Sequence, residues 1–358
     1  MSVYILFFLL VTGLLLVARR LPSYQSSILV GIVFIILLLF AGLRGLVGSD
    51  TYSYLTAYNN LSDNDYFFYL LGRMEPLFVI LAWAHSHIFN SGFLYIFTIS
   101  LIQIFLLWKI CENSADRCLF LVAYVLVFYL NFHFNITRAA IASMLLLYSL
   151  CSKSRSTSIL AAILAPGFHV SVLLFYPLLF SRLGTKWILI LLLSLFAALA
   201  VFYQELYDFS LKFLFYLDYL RGDSSGLSWY GTLITINVLA SILLLPRVSY
   251  LFFGSAILLI LSAVAYSFYP IAYRFIVIAL LIYLFLILEV LSKSRYSWGY
   301  IFFWAPVALT FSVLIYGISE ERTILEQRIA SGEPLDNALE STYIPYEFYW
   351  QDESIDKL

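Results

Sequence analysis

Residues 26–60 read SSILVGIVFIILLLFAGLRGLVGSDTYSYLTAYNN. Residues 26–43 carry no charge and are long enough to cross a hydrocarbon core of about 30 Å as a helix. They give way at once to Arg44, to Gly45 and Gly48, to Asp50 and to tyrosines 52, 54 and 58. A membrane segment therefore ends in a cation, a turn, a carboxylate and a row of aromatics.

The rest of the chain repeats the apolar half of this pattern. Of 358 residues, 63 % are hydrophobic and 11 % charged, with mean hydropathy +0.94. A soluble chain carries roughly 25 % charged residues. The surplus of apolar surface calls for a lipid solvent, so the sequence predicts an all-α polytopic membrane protein. A β-barrel does not fit, because the apolar runs are continuous rather than alternating.

Full-length apolar segments stand at 3–18, 26–43, 92–108, 118–134, 138–152, 187–206, 230–246, 249–266, 271–291 and 297–317. Two stretches fit no simple span. Residues 76–90 are short and contain His85 and His87. Residues 157–181 are too long for one span and too short for two, with Pro166, Gly167 and His169 in the middle. The basic loops ARRLPS, KICENSADR, SKSRS, SRLGTK, LPRVS and LSKSRYS belong on the cytoplasmic side. Placing all six there makes the two awkward stretches re-entrant or interfacial, entering and leaving on the outer side. The expected architecture is ten full spans with both termini outside. Cys111, Cys118 and Cys151 then flank cytoplasmic loops, where thiols stay reduced. The first segment lacks a basic leader and is followed by Arg19 and Arg20, which reads as a first span rather than a cleaved signal.

The expected organisation is a membrane domain over 1–317 and an acidic tail over 318–358. The domain would carry an outer loop at 44–74, a re-entrant segment at 157–181 and an outer loop at 207–229. From Ile318 onward the charge is −7, which leaves +6 for the membrane domain. The tail reads as solvated, with a short helix near 319–331. No basic cluster of the size that nucleic acid requires is present.

This topology gathers the unusual polar residues at one membrane face. Arg44 and Asp50 open the first outer loop, and Arg73 and Glu75 close it. Asn135 and Arg138 lie in the turn FHFNITRAA, His169 at the break in APGFHVS, and Arg274 one turn into the helix beginning IAYRFIVIAL. Each has a plainer reading. Arg44 and Arg138 suit snorkelling helix ends, the tyrosines suit an interfacial belt, and His169 suits a core histidine bonded to a backbone carbonyl freed by the Pro-Gly break. Arg274, inside an apolar helix, needs a partner or a water-filled cavity.

Taken together the set suits one chemistry. Arginines recognise phosphates with fixed two-pronged geometry. Arginines around one cavity would neutralise a diphosphate, such as the headgroup of a polyprenyl-linked sugar. That sugar is already activated, so the enzyme needs a base for the incoming hydroxyl and cations for the departing diphosphate. Asp50 and His169 are the candidate catalytic bases. Arg44, Arg138, Arg274, Arg73, Glu75, Asn135 and Tyr54 are the candidate substrate-binding residues. There is no GxxxxGK[ST] loop, HExxH or paired CxxC. His85 and His87 are two apart, which places them on different helix faces. The expectation is an enzyme without cofactor or metal.

Four motifs in order resemble the EpsG/Wzy-type polysaccharide polymerases: RGLVGSDTYSY at 44–54, RMEPLF at 73–78, NITRAAIA at 135–142 and GFHVSVLLFYPL at 167–178. Arg44, Asp50, Glu75, Arg138 and His169 fall on the family pattern. Ala139 stands where the family often has Gln. The resemblance implies a GT-C-like fold in the bacterial inner membrane, with its active cavity facing the periplasm. It implies transfer of a growing glycan from undecaprenyl diphosphate to the non-reducing end of a new carrier-linked repeat unit. The implied partners are the lipid-linked donor and acceptor, membrane lipid, a chain-length regulator and a flippase. An O-antigen ligase would share the donor, a membrane O-acyltransferase would use His169 for acyl transfer, and a transporter or flippase would show inverted repeats and mid-membrane charges.

Overall fold

The computed structural model describes residues 2–45, 47–48, 50–61, 64–89, 91–180, 228–245, 249–268, 272–294 and 297–331. Among these residues there is no β-strand. The first five helices are α1 (Ser2–Ala18), α2 (Ser23–Gly42), α3 (Thr51–Asn59), α4 (Asn64–Leu71) and α5 (Pro76–Phe89). Next come α6 (Gly92–Cys111), α7 (Arg117–Val127), α8 (Thr137–Cys151), α9 (Arg155–Phe168) and α10 (Pro177–Phe180). The last are α11 (Trp229–Leu244), α12 (Tyr250–Phe268), α13 (Tyr273–Ser292) and α14 (Ile301–Ser331). Ser23–Gly42, Gly92–Cys111, Tyr273–Ser292 and Ser297–Glu320 are long and apolar enough to cross a membrane. The expected span 187–206, most of the loop 207–229 and the tail beyond Ser331 lie outside the described residues.

Two helices form the centre. The apolar span of α13 is 83 % buried, against 33 % for α2. Nearly every side chain of α7 is buried, and Phe120 meets Phe285 of α13 edge to face at 5.4 Å. A helix apolar on all faces belongs in the interior. Just beyond α7 the chain widens into a π turn, Asn131–Asn135, closed by the Ile136 amide on the Asn131 carbonyl at 2.9 Å. The wider turn leaves carbonyls short of partners. Gln103 of α6 supplies them, its amide donating to the carbonyls of Phe132 (3.1 Å) and Thr137 (3.3 Å).

The bundle has two chemically distinct ends. At one, Arg19 pairs with Asp116 at 2.8 Å, and Arg117 donates to Ser26 (3.0 Å) and Ser27 (3.1 Å). Chain direction puts Arg44, after α2, at the opposite end. Arg138 at the start of α8 and His169 at the end of α9 join it there.

Of the awkward stretch 157–181, the described residues, 157–180, form a broken helix. α9 runs through Pro166 and Gly167 to Phe168, and the chain is extended at His169 (φ −165°, ψ 125°) before a 3-10 segment, Val170–Phe175. Pro166 has no N–H for the carbonyl of Ala162, four residues back. The Tyr176 hydroxyl donates to that carbonyl instead. The plainer reading of His169, as the partner of that freed carbonyl, gives way, because Tyr176 takes the place. At Gly167 the α9 backbone presses on α5, since a Cβ there would lie 2.4 Å from Leu77 Cδ1. That close approach carries His169 up to the start of α5.

Candidate active site

The site grows from two loops locked together. Gly48 sits at φ +104°, where only glycine is free of strain, and a Cβ there would lie 2.1 Å from the Phe134 carbonyl oxygen. The glycine turn after α2 therefore lies flat against the π turn before α8. Arg44 reinforces the junction and is 1 % exposed. Its guanidinium donates to the Ala41 carbonyl (2.7 Å), one of the last carbonyls of α2, and lies 4.9 Å over the Phe134 ring. It also reaches Thr51 (3.4 Å) and Ser100 (3.5 Å). A guanidinium so enclosed meets backbone and hydroxyls of the protein.

With the loops locked, Asp50 stands at the start of α3. Its carboxylate makes no cap bond to the helix and instead accepts from the Tyr54 hydroxyl at 2.7 Å. Tyr54 is 3 % exposed, and its oxygen in turn accepts from Arg138 Nε at 3.2 Å. Arg138 Nη1 donates to Glu75 Oε2 at 2.5 Å, and the other Glu75 oxygen bonds His169 Nδ1. The result is one chain of contacts: Asp50, Tyr54, Arg138, Glu75, His169. It joins α3, α8, the start of α5 and the end of α9. The side chains of Glu75, His169 and Arg138 remain 14 %, 15 % and 24 % exposed. The chain is therefore a wall that a ligand can touch.

Charge is distributed unevenly along this wall. Burial alone would push the Glu75 carboxyl up, but the His169 hydrogen bond and the charge of Arg138 hold it down at about 2. Asp50 goes the other way. Burial raises its carboxyl pKa despite the Tyr54 hydrogen bond and the charges of Arg138, Arg274 and His169. Glu75 is thus held as an anion, while Asp50 keeps its proton more readily than a free carboxyl does. Among the described residues His169 Nε2 has no hydrogen-bond partner.

The remaining expected site residues are placed as follows. Arg274 is exposed, is the second residue of α13 rather than one turn in, and faces Asp50 through its charge. Arg73 is exposed and stacks 4.4 Å over the Tyr69 ring, outside the Glu75 cluster. Asn135 closes the π turn and is half-buried. Of the tyrosine row, Tyr52 and Tyr69 are exposed, whereas Tyr58 is buried against His85 Nδ1 at 2.9 Å. His87 bonds the Trp83 carbonyl at 2.8 Å, so the two histidines serve separate partners. Sequence reasoning missed Phe78, whose ring lies 4.9 Å from Tyr54 and 5.8 Å from the Arg138 guanidinium. Its position three residues after Glu75, on the same helix face, is the signal that would have found it.

An all-helical membrane bundle with a carboxylate clamped between arginine and histidine at one end defines a class of polytopic membrane proteins with a polar terminal site. The EpsG family model matches residues 27–329, and the chain belongs to the EpsG family. That membership points to a polysaccharide-polymerase-like membrane protein. No curated protein and no solved structure matches the chain.

Proposed function

We propose that this protein polymerises lipid-linked oligosaccharide repeat units. The growing glycan would pass from undecaprenyl diphosphate to the non-reducing end of a new carrier-linked unit. The observation that carries this reading is the Glu75 carboxylate shared by His169 Nδ1 and Arg138. A carboxylate on Nδ1 fixes the imidazole and directs Nε2 outward as a proton acceptor, the logic by which a buried acid orients a catalytic histidine. In the reaction the acceptor hydroxyl oxygen forms the new bond to the anomeric carbon and gives its proton to Nε2. The anomeric C–O bond breaks, and the diphosphate leaves with the electron pair. Arg138 and exposed Arg274 offer it positive charge. Asp50, within reach of the charge of both arginines, orients the acceptor. Arg44 acts behind them as a positioning residue.

The setting of this chemistry is the outer face of the bacterial inner membrane, in a GT-C-like fold of about ten spans, with chain-length regulator and flippase proteins as neighbours. Arg19 and Arg117, at the opposite end of the bundle, follow the positive-inside bias and support that orientation. The test is deletion of the gene and complementation with wild type or His169→Ala, read on a gel of surface polysaccharide. Wild type should restore long chains and the variant should leave product capped by a single repeat. A full-length ladder with His169→Ala would sink the reading.

A further inference from the structure

Beside the polar wall lies a cavity of about 540 Å³ with a wholly apolar lining, between α6, α8 and α9. Its volume is that of an ordinary ligand cleft, about 300–1,000 Å³. The walls are Leu101 and Phe105 from α6, Ile141 and Leu145 from α8, and Leu164 and Phe168 from α9. Leu101 and Phe105 are 47 % and 50 % exposed, so the cavity opens sideways through the helical surface, as a groove rather than a sealed void.

The groove shares two of its helices with the site. On α8, Arg138, Ile141 and Leu145 follow at spacings of three and four, so they share one face. The stripe runs about 10 Å along the helix from the guanidinium into the groove. On α9, Leu164 and Phe168 likewise share a face, and the next residue is His169. Two of the three walls therefore carry a residue of the Glu75 cluster at the same end. An occupant with an anionic head at Arg138 has its apolar part laid into this groove.

We propose that the groove holds the head-proximal prenyl units of the polyprenyl diphosphate. This deepens, and rests on, the lipid-diphosphate reading above. An apolar cavity open to the bilayer also admits phospholipid acyl chains, which is the alternative the experiment must separate. The test uses full-length protein in nanodiscs and two photoreactive probes. One is a long-chain polyprenyl diphosphate with a diazirine near its head, and the other is phosphatidylglycerol with a diazirine in its acyl chain. The prenyl probe should label residues of α6, α8 and α9 around the groove. Unlabelled polyprenyl diphosphate should compete and phosphatidylglycerol should not. Leu145→Trp should cut that labelling by about tenfold or more, equivalent to about 1.4 kcal/mol. Leu101→Trp, on the exposed rim where folding is not at stake, should do the same.

Labelling by the phospholipid probe that phosphatidylglycerol displaces and polyprenyl diphosphate does not would overturn the proposal. So would prenyl labelling unchanged in both tryptophan variants. Because labelling requires no sugar transfer, groove labelling by a protein that elongates no glycan would uphold the groove and defeat the polymerase reading. Normal elongation with prenyl labelling elsewhere would do the reverse.

Discussion

Replacing Glu75 with Gln removes the charge that Arg138 and His169 share while keeping the side-chain shape. The Glu75 carboxyl is held at about 2, against an ordinary value of 4.5, and the side chain is only 14 % exposed. At about 1.4 kcal/mol per unit, that depression favours the ionised form by roughly 3 kcal/mol. Glu75→Gln forfeits that interaction and leaves the His169 imidazole unheld, so turnover should fall by about 10²-fold, the lower end of what losing a positioned base costs. Loss of a positioned general base costs about 10²–10⁴-fold, which is the expectation for His169→Ala. If Glu75 acts through His169, the double variant should be no worse than His169→Ala alone, because an imidazole that is absent cannot be misoriented. The assay is initial-rate elongation of a lipid-linked repeat unit by purified protein, run as a double-mutant cycle. A multiplicative loss in the double variant, or a Glu75→Gln enzyme near wild-type rate, would refute the dyad. The pH dependence gives a second check. A lowered carboxyl stabilises the fold above its unfolded value and loses that contribution as pH falls toward the folded one. The stability gap between wild type and Glu75→Gln should therefore be constant at neutral pH and shrink from about pH 4.5 downward.

Four further outcomes follow from the same geometry. Gly48→Ala combines a left-handed backbone, at about 1–2 kcal/mol, with a Cβ 2.1 Å from the Phe134 carbonyl oxygen. Thermal unfolding in detergent should show a marked loss of stability, and an unchanged midpoint would contradict the locked loops. Arg44→Met should cost about 1–3 kcal/mol by leaving the Ala41 carbonyl unpaired, with KM for lipid substrate unmoved. A selective rise in KM at full stability would instead make Arg44 a substrate ligand. Asp50→Asn removes a buried charge whose carboxyl is raised, so it should match or exceed wild-type stability at neutral pH and converge with it as pH falls, while elongation drops. In a background lacking Cys111, Cys118 and Cys151, a cysteine at Val170 (43 % exposed) should react with an impermeant thiol reagent from outside and one at Ser154 should not. The reverse pattern would invert the topology.

The readings from sequence and the structure part company where contacts span long stretches of chain. Arg44 and Arg138 look alike in sequence, each an arginine at the end of an apolar run. Tertiary packing separates them: one is enclosed by Ala41, Thr51, Ser100 and Phe134, and the other faces Glu75. No local pattern distinguishes these fates, because the closing residues arrive from α6 and the π turn. The pairing of Glu75 with His169 crosses 94 residues. It depends on Pro166 being satisfied by Tyr176 and on Gly167 meeting Leu77.

The order of residues alone dictates the solvent, the helices and the inventory of polar groups. Lipid tolerates only backbones that satisfy themselves, so apolar runs of this length have one way to fold. The same scarcity of charge made each arginine, carboxylate and histidine conspicuous. Which of them meet is settled by packing between distant helices. Glu75 became the hinge of the site, Asp50 its raised carboxyl and Arg44 its support. Those roles depend on desolvation and on distances of a few ångströms between helices, and neither is written along the chain.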